Sequence, residues 1–186
     1  MLRGDPVGKT VQFAGKHDAY LATPPADKAH QGVGILLIPD VIGIWQNSKL
    51  IADQFAANGY LTLMIDVYNG DALSLTNRPA GFNLFDWIAK GSDGKNPHTT
   101  ETIDPIVLDG IKALKEEYGI QKIGGVGYCF GAKVGCSTGC ALQRKKKRLT
   151  TRTSTLSGTT RTASPPATSP TLPLSTRRSS RPSGVR

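Results

Sequence analysis

Continuous apolar runs alternate with amphipathic stretches along the first two-thirds of the chain. Gly34-Ile35-Leu36-Leu37-Ile38 is apolar without a break, which suits a strand buried on both faces of a sheet. Tyr60–Ile65 reads as a second buried strand, and Lys122–Val126 as a third. Between the first two, Asn47 or Ser48 can cap a helix whose inner stripe is Leu50, Ile51, Phe55 and Ala56, stopping near Asn58-Gly59. Between the second and third, Ile103, Val107, Ile111, Leu114 and Tyr118 fall at helical spacing, predicting a helix from about Thr102 to Tyr118 that Gly119 ends. Phe82, Leu84, Phe85, Trp87 and Ile88 predict a short apolar helix between the loops Asp66–Pro79 and Gly91–Thr100. Upstream, Thr10–Phe13 and Ala19–Ala22 flank Gly15-Lys16-His17-Asp18 and read as a hairpin. Strand, helix, strand, helix, strand predicts an α/β domain: a parallel sheet with helices on both faces.

The pattern stops at Gln143. Arg144-Lys145-Lys146-Lys147-Arg148 opens a stretch dominated by Ser, Thr, Pro and Arg, with no aromatic residue after Phe130. Its apolar residues have no period, so residues 143–186 are expected to form a disordered tail behind a domain at 1–142. Charge changes at the same place. The formal net charge is +9, yet residues 1–142 hold 12 Lys/Arg and 14 Asp/Glu, while 143–186 hold 11 Lys/Arg and no acid. A basic nucleic-acid-binding body is thereby excluded, and any such contact is expected only through the tail. The start, Met1-Leu2-Arg3-Gly4-Asp5-Pro6, lacks the apolar stretch of a signal peptide, and the apolar run at 33–38 is far too short to span a membrane. With three cysteines and no secretory context, a cytoplasmic setting is expected.

The chemistry lies where the third strand ends. Gly127-Tyr128-Cys129-Phe130-Gly131 reads as a nucleophile elbow, a sharp strand-to-helix turn that lifts one side chain above the sheet. Cys129 occupies the raised position, at a helix start where orphan N–H groups and the helix dipole favour thiolate over thiol. The backbone N–H of Phe130 is then one oxyanion donor, and a second is expected from Pro39-Asp40-Val41-Ile42-Gly43, through the N–H of Val41.

Three segments carry a resemblance: Leu36-Leu37-Ile38-Pro39-Asp40-Val41-Ile42-Gly43, Ala52-Asp53-Gln54-Phe55-Ala56-Ala57-Asn58-Gly59-Tyr60, and Gly125-Val126-Gly127-Tyr128-Cys129-Phe130-Gly131-Ala132-Lys133. Over about residues 8 to 134 the chain resembles the dienelactone hydrolase family, most closely its fungal members. The resemblance implies part of an α/β-hydrolase fold and cleavage of small-molecule ester or lactone bonds by a cysteine nucleophile, with a later Asp and His. It assigns Cys129 as nucleophile, and Phe130 and Val41 as oxyanion donors. It also makes Asp40 a carboxylate beside the thiol, helping to control its ionisation. A loop cap is the competing role for Asp40.

The chain departs from the family where its triad should close. Residues 132–186 contain no Asp, Glu or His. His17 and His30 are expected to be solvated, and His98, in the loop before the long helix, is a poor substitute for the base. The strand Lys122–Val126 is expected to be left as an edge if regular structure ends near Leu142. Three readings fit the tail: a genuine basic segment with a nuclear-targeting cluster at Arg144–Arg148; a metal site joining Cys129 to Cys136 and Cys140; or translation in a wrong frame or through an intron. The metal reading lacks a His or second cysteine pair, so neither metal nor cofactor is expected. The sudden change of grammar favours the wrong-frame reading. The function expected is a dienelactone hydrolase-like hydrolase impaired by its missing Asp and His. The alternative is a non-catalytic binding or regulatory protein whose basic tail contacts nucleic acid or directs nuclear import.

Overall fold

The computed structural model describes residues 3–134. The tail expected at 143–186, together with Cys136 and Cys140, lies outside the described residues. Among the described residues the chain runs through β1 (Lys9–Phe13), β2 (His17–Ala22), β3 (Val33–Ile38), α1 (Gln46–Ala57), β4 (Leu61–Ile65), α2 (Leu84–Lys90), α3 (Thr100–Glu116) and β5 (Lys122–Gly127). Among the described residues the strands form one five-stranded sheet in the order β1-β2-β4-β3-β5.

The three apolar strands are parallel: β3 pairs with β4 through Leu36↔Leu63 and with β5 through Ile38↔Gly127. The hairpin extends this sheet rather than standing apart. β2 runs antiparallel to β4, with Tyr20 opposite Met64, so the sheet is mixed where the sequence pattern suggested a parallel one. Burial along β2 explains the docking. Ala19 and Tyr20 are both buried, so the hairpin gives a side chain to each face of the sheet.

Two apolar layers result. Ala52 and Ala56 of α1 pack with Tyr20, Ile35, Leu37 and Met64 on one face. Ile103, Ile106, Val107 and Leu114 of α3 pack with Leu36, Ile38, Leu63 and Ile65 on the other. The long helix begins two residues earlier than its apolar spacing predicts. The Thr102 hydroxyl accepts the Thr99 N–H at 3.1 Å, closing the first turn with polar residues that carry no hydrophobic signal. Among the described residues β5 pairs only with β3, and it presents Gly124 and Gly125 to solvent. The expected edge is therefore made largely of glycine backbone.

Candidate active site

The Ile38↔Gly127 register brings the ends of β3 and β5 side by side, so the loop after β3 and the turn after β5 meet at one end of the sheet. After β5 the chain turns through Tyr128 and Cys129 and is helical from 130 to 134. Cys129 has φ +53°, a left-handed conformation that a non-glycine residue adopts at a cost of about 1–2 kcal/mol. Its side chain is exposed. The glycines are required by contact. A Cβ on Gly127 would lie 2.7 Å from the Ala132 nitrogen and closer still to the Gly131 carbonyl. A Cβ on Gly131 would lie 2.6 Å from the Pro39 carbonyl oxygen and would overlap that of Ile38. The elbow thus sits directly on the end of β3, and the Tyr128 N–H donates to the Ile38 carbonyl at 3.2 Å.

The loop after β3 is pinned from several sides. Asp40 Oδ1 accepts the Ile42 N–H at 2.9 Å, and the Asp40 carbonyl accepts the Gly43 N–H at 2.9 Å. The Val41 carbonyl accepts the Leu73 N–H at 2.8 Å, and the Gly43 carbonyl accepts the Ser48 hydroxyl at 2.8 Å. One carboxylate oxygen of Asp40 therefore caps and shapes its own loop. Among the described residues these bonds leave the Val41 N–H unused. The Phe130 N–H, at the first helical residue, has no acceptor within its own helix. Cys129, Phe130, Val41 and Asp40 all lie on these two adjoining segments.

Behind them stands a side chain the sequence pattern did not single out. Tyr68, three residues beyond β4, is fully buried, with its ring 5.9 Å from that of Phe130 and 5.3 Å from that of Trp87. Its N–H donates to Asp66 Oδ1 at 2.8 Å, and its carbonyl accepts from Asn96 Nδ2 at 2.8 Å. Burial, followed by the charges of Asp40, Cys129 and Asp66, pushes the phenol far above its usual value. The signal was available in part: Asp66-Val67-Tyr68 continues directly from a buried strand. An aromatic residue in a segment rich in Asn, Gly and Asp reads as loop, however, until the fold closes over it.

His98 belongs to this cluster and not to the nucleophile. It is 1% exposed, with Nε2 2.8 Å from Asp71 Oδ2 and its ring against Trp87 and edge-on to Tyr68. Burial pushes the Asp71 carboxyl up, but hydrogen bonds from Ser92 and His98 outweigh it and hold the group below its ordinary value. Among the described residues no hydrogen bond or ring contact joins His98 to Cys129. His17 corrects an expectation of solvation. It is buried against Phe13 and lies 3.6 Å from Asp109 Oδ2, because the hairpin docks beside α3. His30 is exposed, as expected, with its ring on that of Tyr60. Among the described residues, no group of three or more His, Cys, Asp or Glu side chains could hold a metal ion.

A family model described as the dienelactone hydrolase family matches residues 17–146. Hydrolase tropI of Talaromyces stipitatus is 41% identical over 133 residues, covering 70% of this chain and 50% of that protein. Dienlactone hydrolase 1 of Gibberella moniliformis is 38% identical over 140 residues, covering 71% of this chain and 49% of the relative. Among solved structures, a dienelactone hydrolase-like promiscuous phosphotriesterase from metagenomic libraries is 18% identical, with a TM-score of 0.48, covering 73% of this chain and 54% of that one. The chain spans about half the length of the curated relatives it matches. The family match takes in both segments of the site and most of the mixed sheet beneath them: the chain belongs to the dienelactone hydrolase family.

Proposed function

We propose that this chain carries the nucleophile-bearing part of a hydrolase that opens small-molecule ester or lactone bonds through Cys129. The observation that supports this most is the exposed thiol on a left-handed residue, wedged between two glycines that tolerate no side chain. Structures retain such strain where it positions a group. In this reading the Cys129 thiolate adds to the carbonyl carbon, and the electron pair moves onto oxygen. The N–H groups of Phe130 and Val41 hold that oxyanion. Collapse re-forms the carbonyl, expels the alkoxide, which takes a proton from water, and leaves a thioester on Cys129. Water then cleaves the thioester. That last step calls for a base, and no Asp, Glu or His follows Cys129 in this chain. His98 is already committed to Asp71. The expected behaviour is rapid acylation with turnover lowered by about four to six orders of magnitude.

An activated ester tests this. The full chain should release one equivalent of its chromophore in a burst, followed by a very slow steady state. Cys129→Ala should abolish the burst; an equal burst from that variant would refute the assignment. A second reading, a non-catalytic binding protein with a basic tail, is favoured by the lack of an imidazole bonded to the thiol among the described residues. It predicts no burst from either protein.

A further inference from the structure

Among the described residues, Tyr68 presents a polar atom without a partner. Its hydroxyl is buried and makes no hydrogen bond among the described residues. A buried donor without a partner is disfavoured, and buried tyrosines usually find one. Nor is the ring free to move away. Phe130, Trp87 and His98 surround it, and its backbone is bonded on both sides, to Asp66 and to Asn96. The His98 ring, from the segment before α3, stands edge-on to it, and the charges that act on its hydroxyl are those of Asp40 on the loop after β3, Cys129 on the elbow and Asp66 after β4. Three of the four bear or can acquire negative charge. Because burial and those charges keep the phenol protonated, it is a donor throughout the physiological pH range.

We propose that Tyr68 is a further catalytic residue of this site, its hydroxyl donating a hydrogen bond to Cys129 Sγ once that sulfur becomes an anion. This rests on the reading of Cys129 as nucleophile and adds the group that stabilises it from beneath the sheet end. The bond forms together with the charge, as catalytic hydrogen bonds that are long in a ligand-free site commonly do. Asp40 is the competing acceptor. One of its oxygens is taken by the Ile42 N–H, and the hydroxyl makes no bond with the other.

The test is the rate at which iodoacetamide alkylates Cys129 in the full chain, followed by mass spectrometry of the peptide and repeated from pH 5 to 10. Tyr68→Phe keeps the ring and its packing. It should move the profile up by about one pH unit, and so slow alkylation about tenfold below the midpoint. An unmoved profile overturns the proposal. The shift should persist in an Asp40→Asn background, where the Ile42 contact is retained; its disappearance there would mean that Tyr68 acts on Asp40 instead, and also overturns the proposal. Should Tyr68→Phe not fold, biosynthetic 3-fluorotyrosine in a Tyr128→Phe background supplies a stronger donor. The profile must then move to lower pH, and no movement counts against the proposal. Alkylation does not depend on ester cleavage. A shifted profile without an ester burst sinks the hydrolase reading alone, and a burst with an unshifted profile sinks this inference alone.

Discussion

The Tyr128 N–H donates to the Ile38 carbonyl at 3.2 Å, tying the residue before the elbow cysteine to the last residue of the neighbouring strand. Through that bond the turn bearing Cys129 and the loop bearing Asp40 and Val41 become one rigid unit. The contact between Gly131 and the carbonyls of Ile38 and Pro39 completes it.

Gly131→Ala tests that unit. Its new methyl would meet two backbone carbonyls, which cannot rotate away as a side chain can. A loss of about 3 kcal/mol in urea denaturation is expected. Gly125→Ala, on the same sheet edge with open space around it, should change stability by no more than about 0.5 kcal/mol.

Cys129→Gly should separate strain from function. The left-handed backbone at φ +53° costs a non-glycine residue about 1–2 kcal/mol, partly offset by the extra entropy a glycine loses on folding. The variant is expected to unfold at higher denaturant, with a net gain of about 0.5–1 kcal/mol, while losing its ester burst entirely.

Acid should act through the Asp71–His98 pair. The native carboxyl lies below its ordinary value, so the stability it confers is complete above about pH 4 and is lost as the pH falls through that lower native value. Asp71→Asn is expected to cost about 2 kcal/mol near neutrality. The gap between the urea midpoints of the two proteins should narrow below about pH 4. A gap that stays constant down to about pH 2 would mean that the carboxylate charge carries none of it.

Alkali should act through Tyr20. Its hydroxyl donates to Asp53 at 2.9 Å and accepts the Gly8 N–H at 2.6 Å. Burial, then the Asp53 bond, pushes the phenol up to about 12. Stability from this group is whole below its unfolded value of about 10 and declines as the pH rises through the folded one. Tyr20→Phe should cost about 1 kcal/mol at neutral pH and remove that part of the alkaline loss, as followed by circular dichroism across about pH 9 to 12.

Much of the fold was legible along the chain because its signals are local. An uninterrupted apolar run marks β3, short largely apolar runs mark β4 and β5, and the spacing of Ile103, Val107 and Leu114 marks α3. What escaped was set by partners distant in sequence. His17 sits in a turn by its neighbours, yet is buried because α3 brings Asp109 to within 3.6 Å. His98 lies in a polar loop but is closed in by Trp87 and Tyr68. The parallel pattern of three strands was correct, and the antiparallel hairpin beside β4 carried no mark of where it would dock.

By itself the sequence determined that the chain has an elbow, which residue stands on it, and that no acid or histidine comes after it. These are properties of residue order and of short-range backbone geometry. Only the tertiary structure decided what surrounds the cysteine. The register of β3 against β5 sets Ile38 beside Gly127 and so delivers Asp40 and Val41 to the elbow. The closure of the loops around 68 and 98 over the sheet end places behind it a buried hydroxyl that has no partner among the described residues. Such neighbours are chosen by packing, which couples residues far apart in sequence and leaves no period to read.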